Sequence, residues 1–99
     1  MKKVVVQVDP DLNELIPGFL ANKHDDARKI VAAADLSDYE DLKKIGHRIK
    51  GEGGSYGFDG ISEIGVRLEH AAIEKNLDDA RQCATELSTY LAEVEIVFD

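Results

Sequence analysis

The chain has 99 residues, with 12 Lys plus Arg against 20 Asp plus Glu and a formal charge of −8. That length builds one domain with a modest core and leaves no chain for a separate catalytic cleft and lid; the acidic balance argues against nucleic acid or an anionic membrane as the main partner. Cys83 is the only cysteine, which excludes an intrachain disulfide and a cysteine metal framework, fits a reducing cytoplasm, and reads as a core thiol at helical spacing from Ala80 and Leu87. No run of about 18 apolar residues occurs, and the start Met1-Lys2-Lys3-Val4-Val5-Val6 is too short in apolar length for a signal peptide. A soluble, cytoplasmic monomer is expected.

Lys3 to Val8 is a short β-branched stretch broken by Asp9-Pro10-Asp11. With no second strand predicted, residues 1–10 read as an extended arm on a bundle formed by 11–99, or as a strand that pairs with another chain in a dimer. Asp11 or Asn13 is positioned to cap a first turn holding Leu12, Leu15 and Ile16, and Pro17 restarts or kinks the helix. Phe19, Leu20, Ala27, Ile30, Val31 and Ala34 continue an apolar face, giving a first helix that ends near Ala34.

Ser37 or Asp38 caps a second helix, with Asp41 near its positive end; this helix runs from about Tyr39 to Tyr56 with Leu42, Ile45 and Ile49 inward. Gly57-Phe58-Asp59-Gly60 reads as a tight turn with Asp59 as N-cap of a third helix, whose Ile61, Ile64, Gly65, Leu68 and Ala72 form a core stripe. Asn76 is read as its left-handed end. A fourth helix starts near Leu77 to Asp79 and continues through Ala80, Ala84, Leu87, Leu91 and Val94 towards Phe98. The expected fold is all-α, an antiparallel up-down four-helix bundle with a short extended N-terminal arm.

The second helix carries the chemistry. At about 100° per residue His47 lies opposite Leu42, Ile45 and Ile49 and so faces water, with Lys50 about 60° to one side, Gly51 about 40° to the other, and Gly54 almost directly below. Gly46, Gly51, Gly53 and Gly54 each cost about 0.8–1 kcal/mol in a helix interior relative to Ala. Gly53 and Gly54 either end the helix or belong to it. Gly51, with Tyr56 continuing the apolar stripe beyond it, reads as clearance for a closely approaching partner. Lys43, Lys44, Arg48 and Lys50 form a basic island around His47, which reads either as a solvated helix face or, centred on the histidine, as an attraction for an anionic group and an acidic partner pocket. If helices two and three form a hairpin about Phe58, Glu69 comes level with His47, either flanking the imidazole or simply solvated. His24 and His70 are spaced too widely to make a metal site with His47.

His47-x-x-Lys50-Gly51, with Gly54, Tyr56-Gly57, Ile61, Ile64, Leu68-Glu69 and Ala72, resembles the histidine-containing phosphotransfer (HPt) domain of two-component phosphorelays over residues 12–97. The resemblance implies that His47 accepts a phosphoryl group from a receiver-domain aspartate or a kinase and passes it to the receiver of a response regulator or hybrid histidine kinase. Lys50 would steady the charge of the transferring group, Gly51 and Gly54 would give room, and Lys43, Lys44, Arg48 and Glu69 would meet the partner. Glu52 departs from the family, where a small residue is frequent, and bears on partner preference.

The chemistry suits these residues. A neutral imidazole offers a nitrogen lone pair near pH 7, and in the loose in-line transition state of phosphoryl transfer a cation helps where bulk hinders. The sequence has no G-x-x-x-x-G-K-[ST] loop and no acidic cluster placed to hold Mg²⁺ beside His47, so no cofactor is expected on this chain and Mg²⁺ is expected in the partner receiver. A phosphocarrier without enzymatic activity of its own is therefore the leading expectation. The alternatives are the phosphoacceptor domain of a chemotaxis-type histidine kinase and a non-phosphorylated helical adaptor using the same face.

Overall fold

The computed structural model describes residues 4–98. Its elements in chain order are β1 (Val4–Val8), a 3-10 turn (Pro10–Leu15), α1 (Ile16–Asp35), α2 (Tyr39–Tyr56), α3 (Asp59–Ile73), α4 (Leu77–Glu93) and β2 (Val94–Phe98). The four helices form the expected antiparallel bundle. Residues early on one helix meet residues late on a neighbouring one: Lys23 of α1 with Glu52 of α2, Asp79 of α4 with Arg67 of α3, and Arg81 of α4 with Asp35 of α1. One core runs through the bundle, with Ile30, Leu42, Ile49, Phe58, Ile61, Leu68, Cys83 and Leu87 fully buried.

The termini correct the sequence reading. Val4–Val8 is a strand paired in parallel with β2, with Val4 opposite Val94 and Val8 opposite Phe98, rather than part of a lone arm or a strand borrowed by another chain; residues 1–3 of the expected arm lie outside the described residues. Correspondingly α4 stops at Glu93, and Val94, extended at φ −70° and ψ 132°, begins a strand where a continued helix was expected. Bundle topology explains the pairing. The start of α1, the α2–α3 turn and the end of α4 share one end of an up-down bundle, so the flanking segments meet there, and the whole bundle is the long crossover that a parallel pair requires. Val6 and Val8 turn inward and are buried. Phe98 and Val97 are about 40% exposed, so neither belongs to the core.

Capping differs in detail. Asp38 caps α2 as expected, accepting from the Asp41 N–H at 3.0 Å. The first turn is capped by Asp9, not by Asp11 or Asn13. Phe58 occupies the N-cap position of α3 without a side-chain bond, and Asp59 is the first helical residue, where its charge favours the positive helix end. Lys75, at φ 57°, takes the left-handed position after α3; Asn76 instead caps α4 by accepting from the Asp79 N–H at 3.0 Å. Leu15 and Val31, read as core, are exposed because α1 begins only at Ile16 and Val31 lies at the border of its apolar stripe.

The seam between α2 and α3 is set by glycines. A Cβ on Gly65 would lie 2.4 Å from the Lys50 nitrogen and 2.7 Å from the Gly46 oxygen, and one on Gly53 would lie 2.6 Å from the Ser62 nitrogen. These helices touch backbone to backbone. Gly53 and Gly54 lie inside α2, which continues to Tyr56 and ends on Gly57 at φ 84°. Gly51 differs from the seam glycines, since nothing lies within 4 Å of an added Cβ. Gly65→Ala is therefore expected to cost about 2–3 kcal/mol through overpacking, whereas Gly51→Ala gains about 0.8 kcal/mol from helix propensity. Urea unfolding of the two variants checks both signs.

Candidate functional site

His47 stands on the outer ridge of α2 with its side chain 75% exposed. The buried Leu42, Ile45 and Ile49 hold the opposite face of the helix against the core, which fixes the ridge outward. The hairpin places Glu69 of α3 beside it. Glu69 Oε2 lies 3.6 Å from His47 Nδ1, and Oε1 lies 3.2 Å from Lys50 Nζ. The Glu69 side chain is only 17% exposed, so it flanks the imidazole as a largely buried group. At 3.6 Å it is long for a hydrogen bond, but its charge favours a proton on Nδ1 and leaves the Nε2 lone pair outward.

Gly51 and Gly54 are both exposed on this ridge. The atom nearest a Cβ on Gly54 is Ser62 Oγ, at 4.0 Å. Packing requires a glycine at neither position. Their effect is to leave a flat approach to the imidazole, bordered by the Lys50–Glu69 pair.

The basic island separates into groups with different surroundings. Lys43 and Lys44 are exposed, Lys44 lying 3.9 Å from Glu40 one turn earlier. Arg48 turns towards α1, donates to Asp26 and lies 3.7 Å from Glu52. Lys50 turns the other way, to Glu69. His47, Lys50, Glu69, Gly51 and Gly54 therefore form one surface, with Arg48 on its α1 flank. His24 and His70 are exposed elsewhere, and among the described residues no group of three His, Cys, Asp or Glu side chains could hold a metal ion. Burial pushes the Cys83 thiol up to about 11, as suits a core cysteine.

Two residues of the surroundings escaped sequence reasoning. Lys23 and Asp26 are buried between α1 and α2 and engage Glu52 and Arg48. A signal was present, since both fall in phase with Phe19, Ala27 and Ile30 on the core face of α1. A charge at a core position calls for a buried partner.

The described residues thus place an exposed histidine, flanked by a cation and a carboxylate, on a small-residue ridge of an antiparallel four-helix bundle. Residues 14–96 match the family model described as Hpt domain, and the chain belongs to that family. Its function is of the phosphotransfer type in two-component systems; Hpt domains are phosphocarrier modules rather than enzymes, and they interact with receiver domains and histidine kinases. No curated protein and no solved structure matches the chain. No helix of the described residues is long and apolar enough to cross a membrane.

The carboxylate beside Nδ1 generates a prediction. In the neutral protein, ¹⁵N chemical shifts of His47 should report the Nδ1–H tautomer, whereas Glu69→Ala should shift the population towards Nε2–H, the form that a free imidazole prefers. Identical tautomer populations in the two proteins would remove Glu69 from the site.

Proposed function

We propose that the chain carries a phosphoryl group on His47 between an aspartyl phosphate of one receiver domain and the aspartate of another. The observation that carries this reading is the ridge itself. A three-quarters exposed imidazole is held with Nδ1 facing Glu69, beside Lys50, next to two glycines that packing does not require.

In the forward step the Nε2 lone pair of neutral His47 attacks phosphorus in line. The Nε2–P bond forms as the acyl O–P bond of the aspartyl phosphate breaks, and the partner's aspartate leaves as a carboxylate. No proton need move. Nδ1 keeps its hydrogen, and the positive charge gained by the ring is compensated by Glu69. Lys50 Nζ, on a flexible stem 43% exposed, can swing from Glu69 to the equatorial oxygens, where charge accumulates in a loose transition state. The reverse step returns the group to a carboxylate, because the phosphoimidazole is itself a good leaving arrangement. On this reading Mg²⁺ belongs to the acidic pocket of the receiver and neutralises charge there, while this chain contributes none of its ligands.

Gly51 and Gly54 admit the receiver surface to within reach of Nε2. The exposed Lys43 and Lys44, with Arg48 on the flank, attract that acidic surface. Such a rim speeds encounter and leaves affinity modest and salt-sensitive, as a transient carrier requires.

Incubation with a phosphorylated receiver and Mg²⁺ should place acid-labile, alkali-stable phosphate on the wild type and none on His47→Gln; label retained by the variant contradicts the assignment. Gly51→Gln should fold at least as stably as the wild type yet transfer at least about tenfold more slowly, since misplacement by about 1 Å already costs far more. Normal transfer by that variant would remove clearance as the reason for the glycine.

A further inference from the structure

Lys23 sits where the buried face of α1 would ordinarily carry a hydrophobe, among Phe19, Ala27 and Ile30. It is 1% exposed and Asp26 is 3% exposed, and they are the buried charged residues of the described structure. Lys23 Nζ donates to Asp26 Oδ2 and to Glu52 Oε1, both at 2.6 Å. The other Asp26 oxygen accepts from the Arg48 guanidinium, whose Nε lies 3.7 Å from Glu52 Oε1. Two cations and two anions thus close into a neutral ring across the α1–α2 seam, and no buried side-chain nitrogen or oxygen among the described residues lacks a partner.

Stability alone does not account for such a ring. Withdrawing an ammonium and a carboxylate from water costs several kcal/mol each, and a well-packed apolar pair commonly holds a seam as well or better. The ring achieves something an apolar pair cannot, because one of its members reaches the surface. Arg48 is 45% exposed, directly follows His47 in the chain, and is held at its inner edge by a buried carboxylate. A guanidinium fixed before an encounter loses less side-chain entropy on docking than a free one. Lys23 makes that possible. It engages one Asp26 oxygen from the buried side, so Arg48 shares the carboxylate through the other oxygen while its side chain stays 45% exposed.

Resting on the phosphotransfer reading, we propose that Lys23, acting through Asp26, is a buried positioning residue that presents the Arg48 guanidinium to the acidic surface of the receiver. Without Lys23, Asp26 claims Arg48 as its sole counter-charge; without both Lys23 and Asp26, Arg48 loses its anchor and becomes mobile. Either change weakens docking and leaves the chemistry at His47 intact.

Transfer from a phosphorylated receiver should be measured for the wild type, Lys23→Met, Arg48→Ala and their combination, each shown to be folded by near-ultraviolet circular dichroism. Lys23→Met/Asp26→Leu joins the set because it leaves no uncompensated buried charge and so keeps the test open if Lys23→Met fails to fold. Both Lys23 variants are expected to raise KM for the receiver about five- to tenfold, the size of one lost rim contact, with kcat within about twofold of the wild type. Their labelling by phosphoramidate, a small donor that needs no docking surface, should stay at the wild-type rate. Combining Lys23→Met with Arg48→Ala should raise KM no further than Arg48→Ala alone.

An unchanged KM in the folded Lys23→Met/Asp26→Leu protein overturns the proposal. So do multiplying effects of Lys23→Met and Arg48→Ala, or a parallel fall in phosphoramidate labelling, which would mark Lys23 as merely structural. A wild type labelled by neither donor would instead sink the phosphotransfer reading itself.

Discussion

Backbone contact between α2 and α3 is the constraint from which the site follows. Gly65 meets the Lys50 nitrogen and the Gly46 oxygen at distances that admit no Cβ, and Gly53 meets Ser62 in the same way. Two helices held this closely have little freedom to slide. Their register is what brings Glu69 level with His47 and with Lys50, so that one carboxylate can face both a ring nitrogen and an ammonium. A wider seam would separate Glu69 from the imidazole and from Lys50.

The two flanks of the α2 ridge are built differently. On the α3 side a half-exposed Lys50 pairs with a largely buried Glu69, an arrangement that leaves the ammonium open to solvent on one side. On the α1 side the charges form a closed ring in which Lys23 and Asp26 are buried. Stacking of Phe19 on Tyr56 at 4.3 Å and on Phe58 at 5.2 Å stiffens the same seam at the end of α2. On the proposed reading, the first flank supplies a mobile cation for chemistry and the second a fixed cation for recognition.

Most of the bundle was legible because helical periodicity and caps depend on neighbours in sequence. The span of α2 and the cap by Asp38 follow from Leu42, Ile45, Ile49 and the Ser37-Asp38 pair alone. The exposed His47, its Lys50 neighbour and the open ridge at Gly51 follow from the same arithmetic, and Glu69 from a single assumption about the hairpin. What was not legible depends on contacts distant in sequence. β1 finds its partner in β2 at the opposite end of the chain, and Val94 is helical by pattern but extended in the fold. Arg48 reads as one cation in a row of four until Asp26 and Lys23 are seen behind it.

Identifying the atom that bears the phosphoryl group tests the central claim most directly. After transfer from a receiver, ¹H–³¹P correlation spectra should show phosphorus coupled to both the Hε1 and the Hδ2 protons of His47, the pattern of a group on Nε2. Coupling to Hε1 alone would put phosphorus on Nδ1, against the carboxylate of Glu69, and phosphorus on the ring of His24 or His70 would place the chemistry off the ridge altogether. Either result would contradict the account.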